Sequence, residues 1–140
     1  GFEIGKGIQL RALGEILFVT TGITAQRALD AAESLSQENI DSGVFHMHTT
    51  KPFDHIGLIS AAKSAELIVT IEEHVLNGGL GSAVLEALSD HGIFKKVQRL
   101  GIPDVFAKQY GSQDILMAGF GLDPENIVKT VKKNLTLRLK

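Results

Sequence analysis

Four apolar runs, and the helical stripes between them, set the expected architecture of this 140-residue chain. Ile16-Leu17-Phe18-Val19-Thr20 and Leu67-Ile68-Val69-Thr70-Ile71 show no polar alternation, the pattern of strands buried on both faces of a parallel sheet. Val44–Met47 and Lys96–Leu100 read as two further strands. A helix is predicted from Thr24 to about Glu38, with Ala28, Leu29, Ala31, Ala32 and Leu35 on its apolar face. A second is predicted from His55 to about Ala65. A third begins at Gly81, where Ser82, Ala83, Val84, Leu85, Ala87 and Leu88 are good helix formers with apolar positions at helical spacing. After the fourth strand come a short helix over Gln113–Ala118 and a last one from Pro124 to about Leu135. The resulting order, β, α, β, α, β, α, β, α, α, predicts an α/β fold with a parallel sheet, helices on both faces and right-handed crossovers.

The punctuation agrees. Thr24 is an expected N-cap, and Asn39-Ile40-Asp41-Ser42-Gly43 should end the first helix. Pro52 forces Lys51 into an extended conformation, and Asp54 is placed to cap the second helix. Asn77-Gly78-Gly79 forms a turn, Gly92 stops the third helix, and Asp123-Pro124 puts Asp at N-cap and Pro at the first helical position. Residues 1–13 hold two β-like pieces, Phe2-Glu3-Ile4 and Ile8-Gln9-Leu10, separated by Gly5 and Gly7. With no initiating Met, this stretch is expected to be an arm leading from something longer, and residues 14–140 the domain itself.

Composition then excludes several function classes. Lys and Arg number 14 against 16 Asp and Glu, a formal charge of −2, and no basic cluster exceeds a pair, so nucleic acid is not an expected partner. No cysteine is present, which removes disulfides, a thiolate nucleophile and Cys-based zinc, and fits a reducing compartment. No apolar run approaches the roughly 18 residues of a membrane span, and no signal pattern opens the chain, so a cytoplasmic location is expected.

Candidate chemistry gathers after the Leu67–Ile71 strand. Glu72, Glu73 and His74 stand where such strands emerge at their carboxyl ends, the usual place for sites in α/β sheets. Two carboxylates and an imidazole could do acid–base work or bind a metal. Adjacent strand residues point to opposite faces, however, so Glu72 and Glu73 converge only through a bulge, and the simpler reading is that they are solvated, paired or orient the turn. Gly79-Leu80-Gly81-Ser82-Ala83-Val84 has two glycines of the dinucleotide fingerprint but Val84 in the third place. About 20 residues on, Gln98 and Arg99 stand where an acid should be. The amides around Gly78, Gly79, Gly81 and Ser82 could still hold an anion at a helix start, although glycine there reads more simply as a closing turn. His46-Met47-His48 could place two rings on one face toward a metal, without further ligands nominated. Ser82 with His74 lacks the Gly-x-Ser-x-Gly of a nucleophile elbow.

Taken together, these segments resemble a known family. Ile71-Glu72-Glu73-His74-Val75-Leu76-Asn77-Gly78-Gly79-Leu80-Gly81-Ser82-Ala83-Val84 resembles the hallmark of the C-terminal domain of transketolase-type, thiamine-diphosphate-dependent enzymes. Phe2–Gly7 resembles the link that leaves the preceding pyrimidine-binding domain. Met47-His48-Thr49-Thr50-Lys51-Pro52-Phe53-Asp54, Leu100–Phe106 with Tyr110-Gly111-Ser112, and Gly121–Ile127 match further family segments in the same order. Within the family, the chain looks most similar to the separately encoded C-terminal half of a two-piece transketolase.

The resemblance implies a three-layer α/β/α fold whose five-stranded, mostly parallel sheet has one antiparallel strand. Residues 2–10 or the segment after Phe106 would have to supply that fifth strand. It also implies a parent transferase of the pentose phosphate pathway that moves two-carbon ketol units between sugar phosphates. That parent uses thiamine diphosphate and a divalent metal, magnesium or calcium, and is a homodimer. The family's Gly-Asp-Gly…Asn cofactor signature is absent here, as is any match to the pyrimidine-binding domain. The implied role is therefore non-catalytic: no catalytic, cofactor or metal residue in this chain, inactivity in isolation, and packing against the preceding domains. Glu72, Glu73, His74, Gly78, Gly79, Gly81 and Ser82 are its candidate anion or interface positions. The alternatives are the same domain of 1-deoxyxylulose-5-phosphate synthase or of a 2-oxo acid dehydrogenase β subunit, or a regulatory module binding a small anion.

Overall fold

The structure, a computed structural model, describes residues 5–22, 24–47, 53–75, 79–102 and 122–138. The expected helix over Gln113–Ala118 lies outside these residues, as do Phe2–Ile4, His48 and the Asn77-Gly78 part of the glycine turn. The elements are β1 (Gly7–Arg11), β2 (Ile16–Thr20), α1 (Thr24–Ser36), β3 (Ser42–Met47), α2 (His55–Ala62), β4 (Leu67–Val75), α3 (Leu80–Asp90), β5 (Lys96–Ile102) and α4 (Pro124–Arg138).

The five strands form one sheet in the order β1-β3-β2-β4-β5, parallel except for β1, which runs antiparallel to β3. The fifth strand thus comes from the first of the two expected segments, inside the stretch read as an arm. Gly7 faces Met47 and Ile8 faces His46, and the register slips between Gln9 and Arg11. A side chain at position 7 would collide with the Phe45 ring, so glycine lets that ring lie against the edge strand.

Two apolar layers hold the sheet. Ile16, Phe18, Val44, Val69 and Ile71 pack against Ala28, Leu35, Ile127 and Val131 of α1 and α4. On the other face Leu17, Val19, Phe45, Met47 and Ile68 pack against Leu58, Leu80, Val84 and Leu88 of α2 and α3. Every residue of β2 is buried, which is why its sequence shows no alternation.

Several boundaries move for identifiable reasons. α1 stops at Ser36 rather than near Glu38, because Asn39 takes a left-handed φ of 63° and the Ile40 amide bonds back to the Leu35 carbonyl. α2 stops at Ala62, where the Lys95 ammonium donates to the carbonyls of Ala62, Lys63 and Ala65 at 2.8, 2.8 and 2.6 Å. Gly92, at φ 69°, closes α3 in the same manner as Asn39, with the Ile93 amide on the Leu88 carbonyl. Thr24 is not a side-chain N-cap. It lies inside α1, buried, and its hydroxyl donates to the carbonyls of Thr21 (2.6 Å) and Ile71 (2.9 Å).

Candidate functional site

The chain leaves β2 through α1 toward β3, on one face of the sheet. It leaves β4 through α3 toward β5, on the other. β2 and β4 are neighbours, so the crevice at their carboxyl ends is the point where open α/β sheets bind ligands. The residues there are Thr20, Thr21, Thr24, Ile71 and Glu72.

β4 does not end at Ile71. It continues to Val75 with an irregularity against β5 between Ile71 and Val75, so Glu72, Glu73 and His74 belong to the strand. Strand alternation puts Ile68, Thr70 and Glu72 on the α3 side. Glu72 is 1% exposed, and its two carboxylate oxygens accept the Leu80 amide (3.0 Å) and the Gly81 amide (2.8 Å). These are the first two amides of α3, whose N-cap is Gly79 and which has no side-chain cap of its own. A helix start offers unpaired N–H groups and a partial positive charge, and here the chain's own carboxylate meets both demands. Glu72 is therefore itself the anion at the corner where an external one could have been held.

Gly81 has a second partner below it. A Cβ there would stand 2.4 Å from Arg99 Nε and 3.1 Å from Thr70 Oγ1, so the arginine passes beneath the first turn only because position 81 is glycine. Arg99 Nη2 then donates to Ser82 Oγ at 3.0 Å. Sequence reading weighed Arg99 only as a failed ribose contact and missed this role. Ser82 is thus engaged from the β5 side.

The opposite side of the crevice is also stitched. The Thr24 hydroxyl reaches the Ile71 carbonyl, the Thr21 amide bonds to the same carbonyl at 3.4 Å, and Thr20 Oγ1 lies 2.8 Å from His46 Nδ1. His46 and Thr20 are register partners of β3 and β2, which fixes that contact. Further along the same end, Asp54 caps α2 as expected: Oδ1 accepts the Gly57 amide at 2.9 Å. Its Oδ2 accepts the Gly7 amide of β1, also at 2.9 Å. Among the described residues no group of three or more His, Asp or Glu is arranged to hold a metal ion.

Residues 5–127 match the family described as "Transketolase, C-terminal domain". The chain belongs to that family. Transketolase C-terminal domains are thus the frame for this sheet and its glycine corner. A 1-deoxy-D-xylulose-5-phosphate synthase from Syntrophotalea carbinolica is 40% identical over 129 residues, covering 92% of this chain and 20% of that protein. A protein of Methanocaldococcus jannaschii described as a transketolase C-terminal section is 38% identical over 134 residues, 96% of this chain and 41% of its own length. Among solved structures, a split-gene transketolase described as an inactive β4 tetramer superposes with a TM-score of 0.87 at 38% identity, over 97% of this chain and 44% of that one. A transketolase variant from Pichia stipitis, 19% identical with a TM-score of 0.67, shares the fold. This transketolase C-terminal domain therefore spans between 18% and 44% of the length of these relatives.

Proposed function

We propose that this chain is the non-catalytic C-terminal part of an enzyme that transfers two-carbon ketol units between sugar phosphates. In this reading the chain supports the preceding pyrimidine- and diphosphate-binding domains, and the parent is a cytoplasmic homodimer. Thiamine diphosphate and its magnesium or calcium ion belong to those other domains. The cofactor would supply the carbanion chemistry, and no step of it is assigned to a residue of this chain.

The observation that carries the reading is Glu72. A diphosphate needs free amides or cations at the carboxyl end of the sheet, and the Leu80 and Gly81 amides already hold a buried carboxylate. A second anion beside Glu72 would meet like charge in a site closed to water. The described residues therefore do not fit a diphosphate at this corner. Residues 1–13 fit the role of an arm from the preceding domain. β1 is clipped to the start of α2 through Gly7 and Asp54, which supports that reading by holding the base of the arm against the sheet. Glu73, His74 and Gly78, the remaining candidate interface positions of the sequence, are assigned to the contact with that domain.

Calorimetry with thiamine diphosphate and magnesium tests the assignment: no heat is expected from this chain, and micromolar binding would overturn it. Mixing the chain with its diphosphate- and pyrimidine-binding counterpart is expected to give ketol transfer that neither part shows alone. A second reading, the same domain of a 1-deoxyxylulose-5-phosphate synthase, is favoured by the 40% identity to the S. carbinolica enzyme. The same reconstitution separates the two, with pyruvate and glyceraldehyde 3-phosphate as donor and acceptor in place of a ketose phosphate and an aldose phosphate.

A further inference from the structure

Two helices on the same face of the sheet meet outside the core through a pair of imidazoles. His55 is the first residue of α2, and His91 is the residue that closes α3. Their ring centres lie 6.1 Å apart with the planes tilted by 30°. Phe53 packs edge-on against the His55 ring, centres 5.0 Å apart. Both histidines are exposed, and they stand 36 positions apart in the chain, so only the packing of α2 beside α3 brings them together.

The hydrogen bonding of the pair fixes which atoms are available. His91 Nδ1 lies 2.8 Å from the Ala87 carbonyl oxygen. A carbonyl only accepts, so Nδ1 carries the proton and the lone pair of the neutral ring is on Nε2. An imidazole whose other N–H is held by a backbone carbonyl has the orientation found in metal-ligating histidines. The His55 ring makes no hydrogen bond among the described residues, so it is free to turn either nitrogen. The spacing agrees. An imidazole nitrogen binds zinc at about 2.0–2.1 Å, which puts each ring centre about 3.2 Å from the ion. Two rings sharing one ion therefore have centres about 5.2 Å apart at the tetrahedral angle and at most about 6.4 Å apart. The observed 6.1 Å lies inside that range. The carboxyl end of α3, at His91, also presents the negative end of the helix dipole.

We propose that His55 and His91 together hold a divalent transition-metal ion, zinc by preference of ligand and geometry, which clasps α2 to α3. His91 binds through Nε2. No group of three or more His, Asp or Glu is arranged around an ion among the described residues, so water fills the remaining positions. Imidazole pairs suit zinc, nickel and copper, whereas magnesium and calcium take oxygen ligands. The site is thus distinct in chemistry from the magnesium or calcium ion assigned above to the other domains, and it stands or falls separately from that assignment.

Calorimetric titration of the 140-residue chain with zinc chloride tests it. One ion per chain is expected in the micromolar range, weakened at least about 10-fold by His55→Ala and by His91→Ala, as loss of one of two ligands requires. His48→Gln, which alters the other histidine pair of the sequence, should leave binding unchanged. The His55 side chain makes no hydrogen bond that the fold depends on, so His55→Ala keeps the test interpretable even where His91→Ala loosens the end of α3. Absence of binding at millimolar zinc would overturn the proposal, as would binding that survives His55→Ala or is lost with His48→Gln. The imidazole ¹⁵N spectrum reads the atom involved: zinc should shift Nε2 of His91 and leave Nδ1 protonated, and coordination at Nδ1 would refute the geometry. Zinc at about 100 times its Kd should also raise Tm by at least about 5 °C, because the ion joins two helices that the unfolded chain does not hold together. An unchanged Tm at that concentration would mean that the ion does not select the folded pair, and would equally sink the clasp.

Discussion

Two buried carboxylates close two helix starts at the same end of the sheet, by different routes. Asp54 stands directly before α2. It bonds the Gly57 amide three residues on, and its second oxygen holds the edge strand through Gly7, 47 residues away. Glu72 stands in β4, between β2 and β5, and gives both oxygens to α3 alone, across eight and nine residues. The first is a local cap with a spare oxygen that clips the periphery. The second replaces a cap that glycine at position 79 cannot supply, and joins the middle of the sheet to the helix that packs on it. The difference shows how a tight glycine corner stays ordered: the glycines allow the close approach, and a carboxylate from the strand fixes it.

If that comparison holds, Glu72→Ala should have the largest effect of any single change at this end of the molecule. It removes two charge-assisted hydrogen bonds worth about 1.5–3 kcal/mol each and leaves two buried amides without partners. A loss of about 3–5 kcal/mol is expected, which for a domain of this size lowers Tm by roughly 10–15 °C. Urea unfolding measures it, and a loss below about 1 kcal/mol would remove the corner's claim to be more than a turn. Gly81→Ala comes next. The added Cβ falls 2.4 Å from Arg99 Nε, so overpacking of about 1–3 kcal/mol is expected. In an Arg99→Ala background the same change should become neutral or stabilising, because alanine is the better helix former by about 1 kcal/mol. A double-mutant cycle reads that change of sign.

The same contrast explains what could be read from the sequence. Asp54 was legible as a cap because N-capping is local, set by residue type and a spacing of three. The buried strands β2 and β4 and the apolar faces of α1 and α3 were legible for a similar reason, since periodicity reports burial directly. β1 was harder. It is short, glycine-broken and paired with a strand more than thirty residues away, and only the family resemblance called for a fifth strand at all. Glu72 was read as a strand-end carboxylate that could orient the turn, yet nothing in its neighbours states that both oxygens reach α3. Strand alternation chooses the face, but the irregularity after Ile71 and the placement of α3 decide the contact. Arg99 was the least legible. Its role depends on lying beside Thr70 across the β4–β5 ladder and under a helix that has no Cβ at position 81.

The smallest expected effect is also the one that separates the two carboxylates most cleanly. Asp54→Asn keeps one acceptor oxygen for the Gly57 amide and turns an amide group toward Gly7, whose N–H then faces a donor. The helix cap survives while the clip to β1 is lost, at a cost of about 1–2 kcal/mol. Global unfolding reports only that modest loss. Amide hydrogen exchange reports where it falls, because an edge strand can open without the rest of the sheet. Exchange at Gly7 and along β1 should accelerate at least about 10-fold, with Gly57 and the buried β2 amides changing no more than the global loss requires. Equal acceleration at Gly7 and Gly57 would mean that Asp54 is a single cap like any other, and that β1 is held by its ladder to β3 rather than by the carboxylate.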